Sequence, residues 1–289
     1  MTPGVVDVLL VLLPGLIWGA SFLFIAEGLD ALAPNGVTFV RLVIGFLTLS
    51  FVPGVWRSVP WRDLPPIAGL GVLWMAFPYS MFPFAEQHVS SALAGMLNGS
   101  TPLFAVIVAS GLSRQMPSQG VLLGLAVGLL GTVFIALPGL GGQAVNDGST
   151  RGVLMIMAAM VSYGFAINLA RPLQQRHGAL PVVWRALGCS VAMTAPLGLP
   201  ALAAGHWSLR PALALLALGA LGTGLANVLV AVAAGRIGAA RASTTTFLIP
   251  VVALILGVLV RGERVAWLSI GGSALCLAGA VVIQRARRA

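Results

Sequence analysis

The chain contains no lysine. Its basic residues are all arginine, sixteen in number, against seven acidic residues, and charged positions make up only 8% of its 289 residues. A soluble domain of this size carries about 25% charged residues, so water is not the solvent for most of this surface. The net charge of +9 would suit nucleic acid. The arginines, however, stand singly between apolar runs, so nucleic acid is not expected as a partner. Cysteine is nearly absent, and Cys189 and Cys276 both fall inside apolar segments, which leaves the redox compartment open. A Gly-rich phosphate loop, a His/Cys metal cluster and an acid pair suited to hydrolysis are all missing, so no catalytic residue, cofactor or metal is expected. Of three histidines only His88 lies near an apolar run, at its end. Acids are also missing from the middle of every apolar run: Asp7, Glu27 and Glu86 sit at segment ends.

What the chain has is apolar length. Hydrophobic residues make up 58% of it, and the mean hydropathy is +1.01. Ten apolar segments follow one another at 5–28, 35–55, 65–86, 89–112, 117–138, 150–172, 180–203, 211–234, 237–260 and 265–284. Each is close to the ~20 residues a helix needs to cross ~30 Å of hydrocarbon. Backbone groups cannot stay unpaired in lipid, so helices are the expected form. Short Pro/Gly punctuation separates them, such as Pro34-Asn35-Gly36, Pro65-Pro66 and Gly139 to Gly142. No room remains for a soluble domain. The first apolar run begins almost at once without a basic lead, so no cleavable leader is expected.

The stretch from His88 to Ile135 occurs twice. Displaced by 148 positions it falls on Arg236 to Ile283 without a gap, with Ala92, Ala94, Pro102, Ala105 and Ile107 meeting Ala240, Ala242, Pro250, Ala253 and Ile255. Gly124, Ala126, Leu129, Gly131, Val133 and Ile135 repeat as well. The shared proline inside a long apolar run is the match hardest to credit to composition. With a small change of register, Trp18-Gly19 aligns with Tyr163-Gly164 and Arg41 with Arg185. The reading is two five-helix units, 1–145 and 146–289. Five is odd, so the units lie in opposite orientations, an inverted repeat of the kind that frames a substrate site in many secondary transporters. Counted from an N-terminus inside the cell, arginine is concentrated in the inner loops, at Arg57, Arg62, Arg114, Arg171, Arg176 and Arg236 and in the tail at Arg285, Arg287 and Arg288. Both termini are therefore expected in the cytoplasm. Arg151 and Arg210 fall in outer loops, and Arg261-Gly262-Glu263-Arg264 is the awkward exception.

Four features together carry a family resemblance: the Trp18-Gly19-x-Ser21-Phe22 run, the second-span Arg41, the paired Pro102 and Pro250, and the Gly262-Glu263 step after the ninth span. With them the chain resembles the EamA-type transporters of the drug/metabolite transporter superfamily over all ten spans. Within that superfamily it is most similar to bacterial inner-membrane exporters of aromatic and other amino acids. The resemblance implies a non-enzymatic, multi-pass exporter of the bacterial inner membrane that works by alternating access. In the first repeat Gln115 stands where the second has Glu263, so Glu263 is expected to be structural.

Candidate site residues follow from polarity at membrane depth. The third span carries Trp74, Phe77, Tyr79, Met81 and Phe82 around Pro78 and Pro83, and two prolines bend a helix as cavity-lining spans often are. The bland alternative is packing or lipid-facing aromatics. Tyr79 is the better of these, because a buried hydroxyl wants a partner. On the fourth span Ser91, Ala94, Asn98 and Thr101 share one stripe, answered on the ninth by Ala239, Ser243 and Thr246. Ser and Thr also bond back to their own helices, whereas Asn98, Asn168 and Asn227 are costlier to bury and favour a cavity. Met155, Met157 and Met160 lead to Tyr163, as a soft wall or simple packing. Trp18 is expected on the cavity, while Trp184 is an interfacial anchor or a wall. Arg41 and Arg185 are expected a turn or two inside their spans, either meeting a carboxylate or snorkelling to headgroups. The substrate-binding set is thus Trp18, Tyr79, Phe82, Asn98, Thr101, Tyr163, Asn168, Asn227, Ser243 and Thr246. The expected partners are a small solute, amino acids above all, and the bilayer, for a monomer or weak homodimer. With no mid-span acid, transport is expected to need no proton gradient. The other class of reading is a membrane-embedded enzyme or flippase acting on lipid-linked substrates, but no converging set of reactive groups supports it.

Overall fold

The computed structural model describes residues 4–141 and 147–286. Gly142, Arg287 and Arg288, with the side chains of residues 139–148, Ala239 and Ala240, lie outside the described residues. Among the described residues nine helices are long and apolar enough to cross a membrane: α1 (Val5–Leu29), α3 (Trp61–Glu86), α4 (Ser91–Ser113), α5 (Gln119–Pro138), α6 (Ser149–His177), α7 (Ala179–Ala203), α8 (Leu209–Ile237), α9 (Ser243–Arg261) and α10 (Trp267–Ala286). A tenth, α2 (Pro34–Ser50), has 17 residues, at the short end of what spans. It stops five residues before the sequence suggests. Pro53 cannot continue a helix, and Gly54 turns the chain at φ +95°. The consequence is local and large: Arg41 falls at the middle of α2, not near a membrane face.

The face at which α1 begins is called here the N face, and the opposite one the far face. The two repeats are related through their contacts as well as their letters. A side chain on Gly19 would strike Val252, and one on Gly164 would strike Phe104, 148 positions before Val252. Gly219 of α8 lies against Ile44 and Arg41, and Gly71 of α3, again 148 earlier, lies against Ala186. Both third helices of the repeats also loosen into π-helical turns at corresponding depth, Val72–Ala76 and Leu218–Leu225. In α3 the π turn ends just before Phe77 and Pro78, and Ser162 Oγ of α6 donates to its Leu73 carbonyl at 2.7 Å.

Helices α5 and α10 form a pair of their own. Gly131 faces the backbone of Gly272 and Cys276, and Gly279 faces that of Gly124 and Gly128. Small residues bring the backbones together where lipid offers no hydrophobic drive. The pair is fastened by Ser269 Oγ donating to Ile135 O at 3.0 Å.

Helices α4 and α9 are discontinuous. Helix α4 breaks at Gly99-Ser100 before Pro102, and α9 runs as a 3-10 helix over Ser243–Leu248 before Pro250. Their far-face halves pack tightly, with Gly95 on Ala253, Gly99 on Pro250 and Gly257 on Ala92. Glu263 closes this end. Its carboxylate accepts from Ser91 N at 2.9 Å, Ser91 Oγ at 2.8 Å and Ala92 N at 2.9 Å, capping the start of α4 where amides have no helical partner. Nearby, Glu27 accepts from Arg210 at 2.7 Å and Arg261 at 3.1 Å, and Arg261 also reaches Asp30 at 3.1 Å. Arg261, which breaks the charge rule, is therefore part of a clamp on the far face together with Arg210.

At the N face the same two helices diverge. The second half of α4 packs on α6, and the first turns of α9 pack on α1, where Thr245 Oγ1 donates to Val11 O at 3.0 Å. Ion pairs there join other helices: Asp7 to Arg236 at 3.1 Å, and Asp63 to Arg176 at 3.3 Å and His177 at 2.7 Å.

Candidate functional site

Between the two repeats lies a cavity of about 190 Å³ lined from seven helices. Helix α1 contributes Trp18, Ser21, Phe22 and Ile25, one face at three- and four-residue spacing. The adjoining flank carries Gly15 and Gly19, which let α9 approach closely. Helix α2 contributes Arg41. Trp74, Tyr79 and Phe82 come from α3, Asn98 and Thr101 from α4, Tyr163 and Ile167 from α6, Asn227 from α8, and Thr246 and Ile249 from α9. Since α4 and α9 meet at the far face and part at the N face, the cavity leads to the N face.

Eight of the ten residues singled out from sequence line this space. Asn168 does not. It lines a separate depression beside the second half of α4, and its amide donates to Gly164 O at 2.8 Å and Ala105 O at 3.1 Å. It is spent on joining α6 to α4. Ser243 is exposed near the N face and is absent from the wall. Residues three apart eclipse in the 3-10 helix wound here, so Ser243 keeps Thr246's side, but it lies one turn (about 6 Å) nearer the N face and beyond the wall.

The polar groups are held in place by backbone. Trp18 Nε1 donates to Gly222 O in the π turn of α8 at 2.9 Å, and Asn227 donates to Thr223 O at 2.8 Å. Pro102 removes the amide that would bond Asn98 O, but that carbonyl is not left open, because Thr101 Oγ1 donates to it at 2.7 Å. The aromatic wall is continuous. Phe22 meets Phe82 edge-on with ring centres 5.3 Å apart, and Phe82 meets Tyr163 at 6.3 Å, both ordinary aromatic pair geometries.

Arg41 is the only charged residue on the wall among the described residues. It is 5% exposed. Its Nε donates to Thr223 Oγ1 at 2.9 Å, and its guanidinium lies 3.6 Å from the centre of the Tyr79 ring. The sequence could have pointed to it only with the true end of α2 in hand. Trp74, Ser21, Phe22, Ile25, Ile167 and Ile249 complete the wall. Except for Trp74, which sits in the π turn of α3, their common signal is helical spacing from another wall residue, as with Trp18 and Phe22.

Glu86 lies one turn beyond Phe82 on α3. Both its carboxylate oxygens are inaccessible and lack a hydrogen-bond partner, which is rare for a buried acid. Placement at a segment end did not make it solvated.

The comparisons with known proteins fit this geometry. The model of the EamA-like transporter family matches residues 6–137 and again residues 150–285. The chain belongs to the EamA-like transporter family. It is a multi-pass membrane protein and a transporter, not an enzyme. Among its relatives is a protein described as a probable terminal-alkyne amino-acid exporter from Streptantibioticus cattleyicolor, 29% identical over 273 residues and covering 93% of this chain and 90% of that one. An uncharacterised inner membrane transporter of Escherichia coli K12 is 27% identical over 267 residues, covering 89% and 84%. An uncharacterised transporter of Archaeoglobus fulgidus is 21% identical over 270 residues, covering 93% and 95%. One crystal structure superposes with a TM-score of 0.67 at 20% identity over 98% of both chains, a likeness of fold alone.

Proposed function

We propose that this EamA-family transporter exports small organic solutes, amino acids and aromatic ones among them, from the bacterial cytoplasm across the inner membrane. The observation that carries the reading is the cavity itself. A wall of aromatic rings, the neutral amides and hydroxyls of Ser21, Asn98, Thr101, Asn227 and Thr246, and one arginine suits a small molecule with a polar end and an apolar body. Its volume lies below the ~300–1,000 Å³ of drug-sized pockets, in favour of metabolites. The named relative from Streptantibioticus cattleyicolor supports the amino-acid class.

Both termini lie in the cytoplasm in this reading, so the conformation sealed at α4 and α9 on the far face is inward-facing. Alternating access then exchanges that seal for its repeat-related counterpart at the N face. The wall carries no acid among the described residues, so transport runs down the solute's own gradient without proton coupling. The test is uptake of a panel of radiolabelled amino acids by liposomes containing only this protein. Saturable uptake of one or more above protein-free liposomes is expected. Lipid scrambling without solute flux would instead support a flippase.

A further inference from the structure

We propose that Arg41 receives the carboxylate of the solute, and that this contact sets the substrate class: monocarboxylates with an apolar or aromatic tail, with or without an amino group. The inference rests on the transport reading above and adds what the cavity recognises.

The two arginines that correspond in sequence have separate fates. Arg185, on the seventh residue of α7 near the N face, gives its terminal nitrogens to backbone: NH1 to Pro181 O at 3.1 Å and Val55 O at 3.3 Å, NH2 to Arg57 O at 2.8 Å. Its donors are consumed by the loop after α2, and its role is structural. Arg41 has the opposite arrangement. Only Nε is bonded, to Thr223, and the flat of the guanidinium rests on Tyr79. Its two terminal nitrogens make no hydrogen bond or ion pair within the described residues, and the residue lines the cavity. The ring and the threonine hold the fork still while its donor edge stays available.

An acceptor is needed there. Arginine stays charged in proteins, and a buried charge is strongly unfavourable without a partner. The protein's own acids do not serve among the described side chains, which leave out Asp147. Asp7, Glu27, Asp30 and Asp63 are paired with arginines at the two faces, and Glu263 caps α4. Glu86 attracts Arg41 only through space, since neither of its oxygens makes a hydrogen bond and the terminal nitrogens of the arginine stay unbonded. A carboxylate fits the fork in bidentate fashion, and a bound solute is the remaining source of one. An ammonium, by contrast, finds only neutral side chains and ring faces, so its removal costs little. An amine lacking the carboxylate brings a second positive charge beside Arg41 and is refused.

The experiment compares phenylalanine with the acid lacking its amino group, 3-phenylpropionate, and the amine lacking its carboxylate, phenethylamine. Each is tested for thermal stabilisation of the purified protein and for inhibition of radiolabelled phenylalanine uptake into liposomes. The two acids should bind within about tenfold of each other. The amine should bind roughly ten- to a hundredfold more weakly, as befits loss of a charge-assisted hydrogen bond. Arg41→Gln should weaken both acids by a similar factor without weakening the amine, and Arg41→Lys should fall between. Stabilisation by neither acid, or an amine that competes as well as phenylalanine, would overturn the proposal. So would Arg41→Gln protein with wild-type melting behaviour and unchanged acid binding. If that variant does not fold, the wild-type ligand comparison still decides. Stabilisation by both acids without any uptake would leave this site standing and remove the transport reading.

Discussion

Tyr79 has two tasks in this cavity, because its ring is both a wall and the platform under Arg41. Tyr79→Phe keeps the ring and should leave transport within about threefold, since a cation–π contact survives it. Tyr79→Ala should impair small and aromatic amino acids alike by loosening the guanidinium. Phe82→Ala, which touches no charge, should reduce aromatic substrates more than alanine or serine. Competition uptake with each variant measures all three. Asn98→Ala removes a polar group at the break of α4 while leaving Thr101 to cap the Asn98 carbonyl. A uniform loss of about ten- to a hundredfold in affinity across amino acids is expected. Wild-type uptake at low substrate by folded Asn98→Ala protein would move the polar centre elsewhere.

Among elements, α5 and α10 contribute nothing to the cavity wall and are built to hold each other. Gly131 is pressed on the backbone of Gly272 and Cys276, whereas a side chain at Gly271 meets nothing within 4 Å. Gly131→Ala should therefore destabilise the protein by about 1–3 kcal/mol through overpacking, and Gly271→Ala should be neutral or slightly stabilising through helix propensity. Melting temperatures in detergent separate the two. Cysteines placed along α5 and α10 at mid-membrane depth should also resist water-soluble thiol reagents. In the alternating-access cycle proposed above, the moving elements are α4 and α9. In the described state Gly95 packs on Ala253, and displacement by 148 positions turns that pair into Ser243 and Ala105. Cysteines at Ala105 and Ser243 should cross-link poorly in this conformation and readily in the opposite one. A yield insensitive to saturating solute would argue against the exchange.

How much of this was readable in sequence depends on what each residue answers to. The repeat, the ten spans, Trp18, Tyr163 and the two prolines follow from periodicity and hydropathy, which act locally. Arg41 was misplaced because its depth depends on where α2 ends, and Pro53-Gly54 moved that end. Ser243 was misplaced because spacing fixes a side of the helix and not a depth, and it lies a turn nearer the N face than Thr246. Asn168 has the polarity of a ligand group and serves a neighbouring helix instead. Such choices are made by tertiary contact between distant segments, which spacing does not encode.

For the whole molecule, the proposed cycle has the two repeats close one face at a time around a wall that holds a single charge among the described residues. Proton movement has no acid on that wall to ride. Glu86, enclosed above Phe82 without a hydrogen bond, is the carboxylate a coupled cycle would use. Uptake should be unchanged by an imposed pH step, and Glu86→Gln should transport within about threefold of wild type. Dependence on the pH step, lost in Glu86→Gln, would establish coupling and contradict the uncoupled reading.

The most direct test of the account is counterflow. Liposomes containing the purified protein are loaded with unlabelled amino acid and diluted into tracer at the same pH on both sides. The account predicts transient accumulation of labelled amino acid above equilibrium, with no voltage or pH gradient, for at least one aromatic amino acid. Tracer entry no faster than into protein-free liposomes, for every amino acid tried, would contradict it.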